Sequence, residues 1–309
     1  MEALDVPAFN ASLAACGLLV SAVLALYPLF YVRNGSRDER FQRMLKRDRH
    51  ARRSYLGICL FSMLLTASDL LSWVLPLPLN DTQAFTVLLS NFGFNASAAL
   101  LLVCFNGYLR GMLETRRAPD GSAPRFPCSR IALVLTVTYL LGCALSIDTR
   151  WFFTVSLTTR FHRGDWFWLA QAIMVALYVI TFATIVANRR LVARRELAAL
   201  TGYVALPAAA ELVQVLNFGF ALVDVAVPLA IALLFVGVQE TREAELQASD
   251  LEVAEAQLER MEERLSPQEL YARVDELRHL CRTDPDAAAR AVGEFSHWLR
   301  EHTAAFRQE

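Results

Sequence analysis

Long apolar stretches alternate with short polar segments from the N-terminus to about residue 239. A hydrocarbon core about 30 Å thick needs roughly 20 apolar residues in helical form. Seven stretches meet or approach this length, with approximate limits 9–32, 54–76, 84–109, 129–147, 166–187, 198–218 and 220–239. The last two lie close together and each contains a proline, which a span tolerates when its neighbours satisfy the freed carbonyl. The pattern predicts an all-α integral membrane protein with a seven-helix transmembrane domain over residues 1–239.

Composition agrees with this prediction and excludes several classes of protein. Hydrophobic residues make up 55% of the 309 residues and charged residues 20%, and the mean hydropathy is +0.34, which is more apolar than a typical soluble domain. The formal net charge of −1 argues against a nucleic-acid partner. Six cysteines without a CxxC pair, four of them inside apolar runs, indicate neither a disulfide framework nor a zinc site. We therefore expect no metal and no cofactor, and no phosphate-binding loop is present.

The loops between the predicted spans differ strongly in basic residues. Those after the first, third and fifth spans hold eighteen lysines and arginines, whereas the alternate loops hold only three, Arg150, Arg160 and Arg163. Basic loops stay on the cytoplasmic side of a membrane. The distribution predicts a multi-pass protein of the cytoplasmic membrane, embedded in the lipid bilayer, with its N-terminus outside and its C-terminus in the cytoplasm.

Polar side chains within the spans fall almost entirely in the half of the membrane that this topology places outside. Burying an Asp at the centre of a span costs about 2.5–3.5 kcal/mol by insertion scales, so such residues want a functional reason. The predicted ligand-binding residues are Asp69, Asn91, Asn95, Gln171, Glu211, Gln214, Asn217 and Asp224. Three carboxylates among them favour a small polar or cationic extracellular ligand in an outward cavity.

Structural roles are the alternative for several of these residues. Asn91 and Asn95 could serve as interhelical hydrogen-bonding groups worth about 0.6 kcal/mol each. Asp224 could be a helix cap in water, and Glu211 could pair with Arg150 or Arg163 from an outer loop. The carboxylates Asp69 and Glu211, which the bilayer penalises most, carry most of the weight of the ligand hypothesis.

Charge and periodicity change after residue 239. Residues 1–239 carry a net charge of +7 and residues 240–309 a net charge of −8. Leu251, Leu258 and Leu265 recur at a spacing of seven, which predicts a coiled-coil signalling helix over residues 240–265. A lone amphipathic linker helix is the alternative, since two heptads seldom hold a dimer by themselves.

Residues 266–309 show the start signals of two further helices. Ser266 and Glu269 form a capping box with Pro267 at the first helical position, and Asp284 with Pro285 repeats the cap-and-proline arrangement. The resulting hairpin cannot bury both apolar faces alone, and pairing with a second copy into a four-helix bundle would cover them. The apolar positions assigned to dimerisation in the linker and the hairpin are Leu251, Leu258, Leu265, Leu270, Leu277, Phe295 and Leu299.

The hairpin resembles the dimerisation region of LytS-type bacterial sensor histidine kinases. The resemblance rests on the stretch from Leu265 to Tyr271, on Leu277, on the turn from Cys281 to Ala288, and on Glu294-Phe295-Ser296 with Leu299-Arg300. It implies a polytopic membrane sensor, a coiled-coil linker and a dimerisation hairpin, in that order along the chain. The two-component family also implies dimers, either of this chain or with a full-length sensor kinase.

Three positions depart from the family pattern. Gln268 stands where the family carries its phosphoacceptor histidine, Glu269 where it carries a phenylalanine, and Ala272 where it carries an asparagine. An amide side chain has no imidazole nitrogen to accept a phosphoryl group. The sequence given ends at Glu309, which leaves no room for the ATP-binding domain of such kinases. We therefore expect no catalytic residue and no autokinase activity.

Three functions remain open at this point. The favoured one is a membrane sensor that binds a ligand outside and acts on a partner kinase through its hairpin. The second is a small transporter or channel with a regulatory tail, which predicts polar residues continuing into the inner half, with Asn106 as the main candidate. The third is a kinase fragment without present activity.

Overall fold

The computed structural model describes residues 6–34, 49–114, 116, 123–216, 220–237, 251, 253–256 and 267–304. Six helices in this part of the chain are long and apolar enough to cross a membrane. They are α1 (Val6–Asn34), α2 (Arg49–Val74), α3 (Asp81–Leu113), α4 (Ser129–Thr149), α5 (Phe167–Ala187) and α6 (Arg194–Leu216). A shorter apolar helix, α7 (Val223–Gly237), follows. These six helices confirm a largely helical chain of the multi-pass membrane class.

Helix α3 is the longest of the described elements and lies at the centre of the bundle. Its 33 residues correspond to about 50 Å of helix, and it packs against α2, α4, α5 and the strands described next. It begins with a capping box, in which Asn80 Oδ1 accepts from the Gln83 N–H at 2.8 Å and Gln83 Oε1 accepts from the Asn80 N–H at 3.0 Å. Deeper in the bundle, the rings of Phe105 and Tyr203 stack 4.1 Å apart and join α3 to α6.

A two-stranded antiparallel sheet connects α4 to α5. Strand β1 (Phe153–Ser156) pairs with β2 (Thr159–Arg163), with Phe153 opposite Arg163. The buried Ser146 hydroxyl at the end of α4 accepts from the Phe152 and Phe153 N–H groups at 3.0 and 3.2 Å, which fixes the first strand to the helix. This sheet was not predicted. We call the end of the bundle that carries this sheet the sheet end, and the other the opposite end.

Polar side chains tie the segment before α4 to the opposite end of the bundle. Both Glu196 carboxylate oxygens accept from Arg116, at 2.5 and 2.9 Å, and Glu196 is fully buried. Asn188 accepts from the Arg125 N–H at 2.8 Å and donates to the Arg125 carbonyl oxygen at 2.6 Å. Arg116, one of the basic residues that the sequence assigns to topology, therefore also holds the bundle together through its side chain.

The chain divides into two compact units, Met1–Thr241 and Arg242–Glu309. In the second unit, α8 (Pro267–Thr283) and α9 (Pro285–Ala304) pack together as a helical hairpin. Asp284 Oδ1 accepts from the Asp286 and Ala287 N–H groups at 3.1 Å each, so the predicted cap is confirmed. Two of the residues predicted for dimerisation, Leu258 and Leu265, lie outside the described residues.

Apolar side chains remain on the surface of the second unit when one chain is considered alone. Val274 is 43% exposed and Val292 is 48% exposed, while Leu277 and Phe295 are half-buried and Ala288 is buried. Leu251, in the described part of the linker, is 61% exposed. Leu270 lies in α8 and Leu299 in α9. The hairpin thus leaves part of its apolar surface uncovered.

Candidate functional site

A cavity of about 320 Å³ opens at the sheet end of the bundle, between the six helices α2 to α7 and strand β2. Six of the eight polar residues singled out in the sequence line it, namely Asp69, Asn91, Asn95, Gln171, Glu211 and Gln214. Asp224 is buried near Asp69 but does not line the cavity. Asn217 lies outside the described residues. Polar residues from four helices, α2, α3, α5 and α6, therefore converge on one space.

The two acidic residues of the cavity each have a neutral donor beside them. Asp69 Oδ2 accepts from Trp73 Nε1, one helical turn along α2, at 2.8 Å. Glu211 on α6 interacts with the hydroxyl group of Tyr178 on α5. Neutral donors orient a carboxylate without neutralising it, so the cavity keeps acidic groups for a positively charged or hydrogen-bond-donating guest.

The asparagines of α3 use part of their hydrogen-bonding capacity within the protein. Asn95 Oδ1 accepts from the Tyr139 hydroxyl at 3.0 Å, and Asn95 Nδ2 donates to the Asn91 carbonyl oxygen at 2.8 Å. Asn91 Nδ2 donates to the Val87 and Arg160 carbonyl oxygens at 3.0 and 3.2 Å. The structural role considered for these two residues is thus present, since they join α3 to α4 and to β2 while facing the cavity.

Strand β2 covers the cavity and is held by two arginines. Arg160 donates through Nε to the Ser72 carbonyl oxygen at 3.0 Å and through Nη2 to the Leu75 carbonyl oxygen at 2.7 Å. Arg163 donates to the Val215 carbonyl oxygen at 2.6 Å. These acceptors lie at or just beyond the C-terminal ends of α2 and α6, where helix carbonyls lack intrahelical partners and favour cations.

Stacking adds to these tethers. The Arg160 guanidinium lies 5.4 Å from the centre of the Trp73 ring and that of Arg163 lies 4.9 Å from the centre of the Phe167 ring. Partial burial lowers the pKa of Arg160 from its ordinary value, which an arginine tolerates while staying charged. Arg160 and Arg163, which the sequence analysis counts as loop residues, are therefore parts of the cavity roof.

Aromatic rings supply much of the remaining wall. Rings attract cations through their electron-rich faces, and cages of such rings bind ammonium groups. Together with Asp69 and Glu211, this wall suits a small organic cation. The aromatic residues of the lining are Trp73, Phe94, Tyr139, Phe161, Phe167, Tyr178, Tyr203 and Phe220.

A second cavity of about 280 Å³ lies toward the opposite end, between α3, α4 and α5. Asn106 lines it and donates to Thr181 Oγ1 at 2.9 Å. Arg110 and Phe126 form its far wall, with the guanidinium 5.3 Å from the ring centre. Leu102 borders both cavities.

Within the described part of the chain, no group of three or more His, Cys, Asp or Glu side chains is placed to hold a metal ion. Gln268, at the position of the phosphoacceptor in the family resemblance, lies in the first turn of α8. Comparison with models of known protein families, with curated proteins and with solved structures found no match for this chain.

Proposed function

We propose that this chain is a membrane sensor that binds a small organic cation in the cavity at the sheet end of its bundle and signals through its C-terminal helical hairpin. The observation that carries the proposal is the convergence of six polar membrane residues on one aromatic-lined cavity. Intramembrane carboxylates at such a place mark ligand or ion sites. Binding would shift the population between two packings of the bundle.

The topology belongs to the proposal. All three arginines of the predicted outer loops precede or lie in the β1–β2 segment, whereas Arg116 contacts Glu196 and Arg125 contacts Asn188 at the opposite end. The positive-inside rule then puts the cavity outside and the second unit in the cytoplasm. Helix α7 has 15 residues, about 22 Å of helix, and it is proposed as the seventh span, within the predicted stretch 220–239.

Signalling is proposed to pass to a partner through the hairpin. The support is the apolar surface left on α8 and α9, at Val274 and Val292, together with the resemblance to LytS-type kinases. The occupant of that surface is a second copy of the hairpin or the hairpin of a full-length sensor kinase. Gln268 replaces the phosphoacceptor, so the chain modulates its partner instead of phosphorylating itself.

Ligand binding is tested by thermal unfolding of the purified chain in detergent with a panel of small amines and quaternary ammonium compounds. We expect at least one to raise the wild-type Tm in a saturable way, since a ligand that binds only the folded state stabilises it. Asp69→Asn and Glu211→Gln should lose the shift. Asp148→Asn, which changes an exposed carboxylate near the same end, should keep it. No shift with any compound, or shifts unchanged in both variants, would overturn the proposed ligand class.

The partner role is tested by co-purification with a full-length LytS-type kinase and with a differently tagged copy of the chain. Leu277→Asp with Phe295→Asp places charges on the half-buried apolar positions and should abolish assembly. Ala289→Asp adds the same charge at an exposed position of α9 and should leave assembly unchanged. Complexes that survive the double substitution would remove the hairpin from the proposal.

A small transporter or channel is the second candidate, and the cavity lined by Asn106 is the observation that favours it. Two cavities bordered by one leucine resemble a path interrupted at its middle. This candidate predicts a flux of the bound cation across proteoliposomes. A sensor predicts binding without flux.

A further inference from the structure

Asp224 is a carboxylate without a conventional partner in the apolar part of the bundle. It is the second residue of α7 and only 1% of its surface is exposed. Neither carboxylate oxygen accepts a hydrogen bond from any described N–H or O–H group. Burying an unpaired charge is among the most costly things a fold can do. The buried Asp224 carboxylate therefore requires a partner, a proton or a cation, that the described side chains do not supply.

The neighbouring helices close around Asp224 and bring no positive charge to it. A Cβ at Gly17 of α1 would overlap the Asp224 carbonyl oxygen and touch the Thr66 methyl group of α2. Asp69, one turn beyond Thr66, has its carboxyl group within hydrogen-bonding reach of the Asp224 carboxyl group. The other face of Asp69 is occupied by Trp73 Nε1.

The titratable groups on the surrounding elements can be named. On α2 the facing group is Asp69. Among the side chains of α1 described in the structure, the only titratable one is Cys16, which is exposed. On α6, Glu211 interacts with Tyr178 and Tyr139, and Gln214 accepts from the Val223 N–H at 3.4 Å. Helix α7 itself carries no other acidic or basic residue. Asp224 thus faces one group that titrates, and that group is another acid.

Charge balance favours a proton over a metal ion between the carboxyl groups of Asp69 and Asp224. Two ionised carboxylates in contact repel strongly in a low-dielectric surrounding, and neither has a proton to donate. One proton removes the repulsion and creates a strong hydrogen bond between an acid and a carboxylate. A metal ion would need several more oxygen ligands than two aspartates provide, whereas a proton needs only these two groups.

We propose that Asp69 and Asp224 bind one proton between them and that this shared proton fastens α7 to α2 beneath α1. The site adjoins the proposed organic-cation site, because Asp69 lines the cavity whereas Asp224 does not. Loss of the proton leaves two like charges in contact, one on α2 and one at the start of α7. Proton binding thereby favours the packed arrangement of α1, α2 and α7.

The test compares the pH dependence of thermal unfolding in the wild-type chain and in Asp224→Asn. Since the folded pair holds a proton that an aspartate in the unfolded chain releases, wild-type stability should fall as the pH rises. We expect the Tm to drop by at least about 2–4 °C between about pH 5 and about pH 9, which corresponds to about 1 kcal/mol or more. The amide that Asp224→Asn introduces would donate to Asp69 at any pH, so this drop should be lost in the variant. Asp148→Asn should keep the wild-type drop.

Three results would overturn the proposal. They are a wild-type Tm without the drop, an Asp224→Asn variant that keeps it, and stabilisation at alkaline pH by sodium but not potassium or choline chloride that Asp224→Asn abolishes. The last would show a metal ion in place of the proton.

Infrared absorption of protonated carboxyl groups in the wild-type chain gives a measurement that needs no folded Asp224 variant. In Glu211→Gln, which removes the other acidic group of the cavity, the band of the protonated carboxyl group should persist above neutral pH. Its absence in this variant would also contradict a shared proton.

Discussion

Arginine side chains that bind main-chain oxygens fix the roof of the cavity. Arg160 reaches two carbonyl oxygens at and just beyond the C-terminal end of α2, and its planar, forked donor set allows both hydrogen bonds from one side chain. Arg163 binds one carbonyl oxygen, that of Val215, near the C-terminal end of α6. The position of β2 above the cavity therefore depends on individual guanidinium groups and not on the two short strands alone.

Replacing Arg160 with lysine should weaken this attachment while keeping the charge. A compact ammonium group cannot reproduce the two-point contact, so we expect a loss of about 1–2 kcal/mol of stability. The measurement is the Tm of the purified chain, together with the rate at which a protease cuts the segment between α4 and α5. Arg130→Lys, at an exposed position in the first turn of α4, should change neither. Equal stability of Arg160→Lys and wild type would show that the tether contributes little.

The sequence identifies the carboxylates of the site but not its arginines or aromatic rings. Asp69 and Glu211 stand out because an acid in an apolar run is costly whatever surrounds it. Arg160 is tied to main-chain oxygens, and every residue has such an oxygen, so no pattern of side chains could reveal the contact. Tyr178 was within reach of prediction, because it lies seven residues after Gln171 and thus on the same face of α5.

At the level of elements, helices that pass close together depend on small residues. Gly17 is such a position, since an added methyl group would overlap the main-chain oxygen of Asp224. Gly202 on α6 offers a contrast, because its nearest neighbour to an added Cβ would be Leu233 at 3.8 Å, which is an ordinary contact.

Alanine substitutions at these two glycines should act with opposite sign. We expect Gly17→Ala to destabilise the chain by about 1–3 kcal/mol, because α1 must move away from α7. Gly202→Ala should stabilise it by up to about 1 kcal/mol, since alanine favours the helix and has room. The measurement is the change in Tm of each variant. A neutral Gly17→Ala would show that α1 does not pack closely on α7.

The length of apolar runs predicts the helices well, while the strands carry little signal. Strand β1, FTVS, alternates apolar and polar residues, but four residues are too few to stand out beside the long apolar runs, and β2, TRFHR, contains a single apolar residue. Helix α3 begins three residues before its predicted start at 84, because Asn80 and Gln83 form a capping box. That box is readable in the sequence, so this part of the boundary was predictable from residues outside the apolar run.

At the scale of the whole molecule, the proposed orientation makes a direct prediction for thiol labelling. Cys128, just before α4, and Cys281, in α8, are exposed, and the proposed topology puts both in the cytoplasm. In a Cys16→Ser background, a membrane-impermeant thiol reagent should label neither in intact cells and both in inverted vesicles. Thr158→Cys, in the exposed turn between the strands, should show the reverse. Labelling of Cys281 from outside intact cells would refute the orientation.

The leucine between the two cavities has a consequence for what the bundle can become. Leu102 on α3 is 4% exposed and borders both spaces, so a single aliphatic side chain contributes to the partition between them. Trimming Leu102 to alanine would remove side-chain atoms that line both chambers, of about 320 and 280 Å³, and would thereby favour a continuous passage along α3 over two separate spaces.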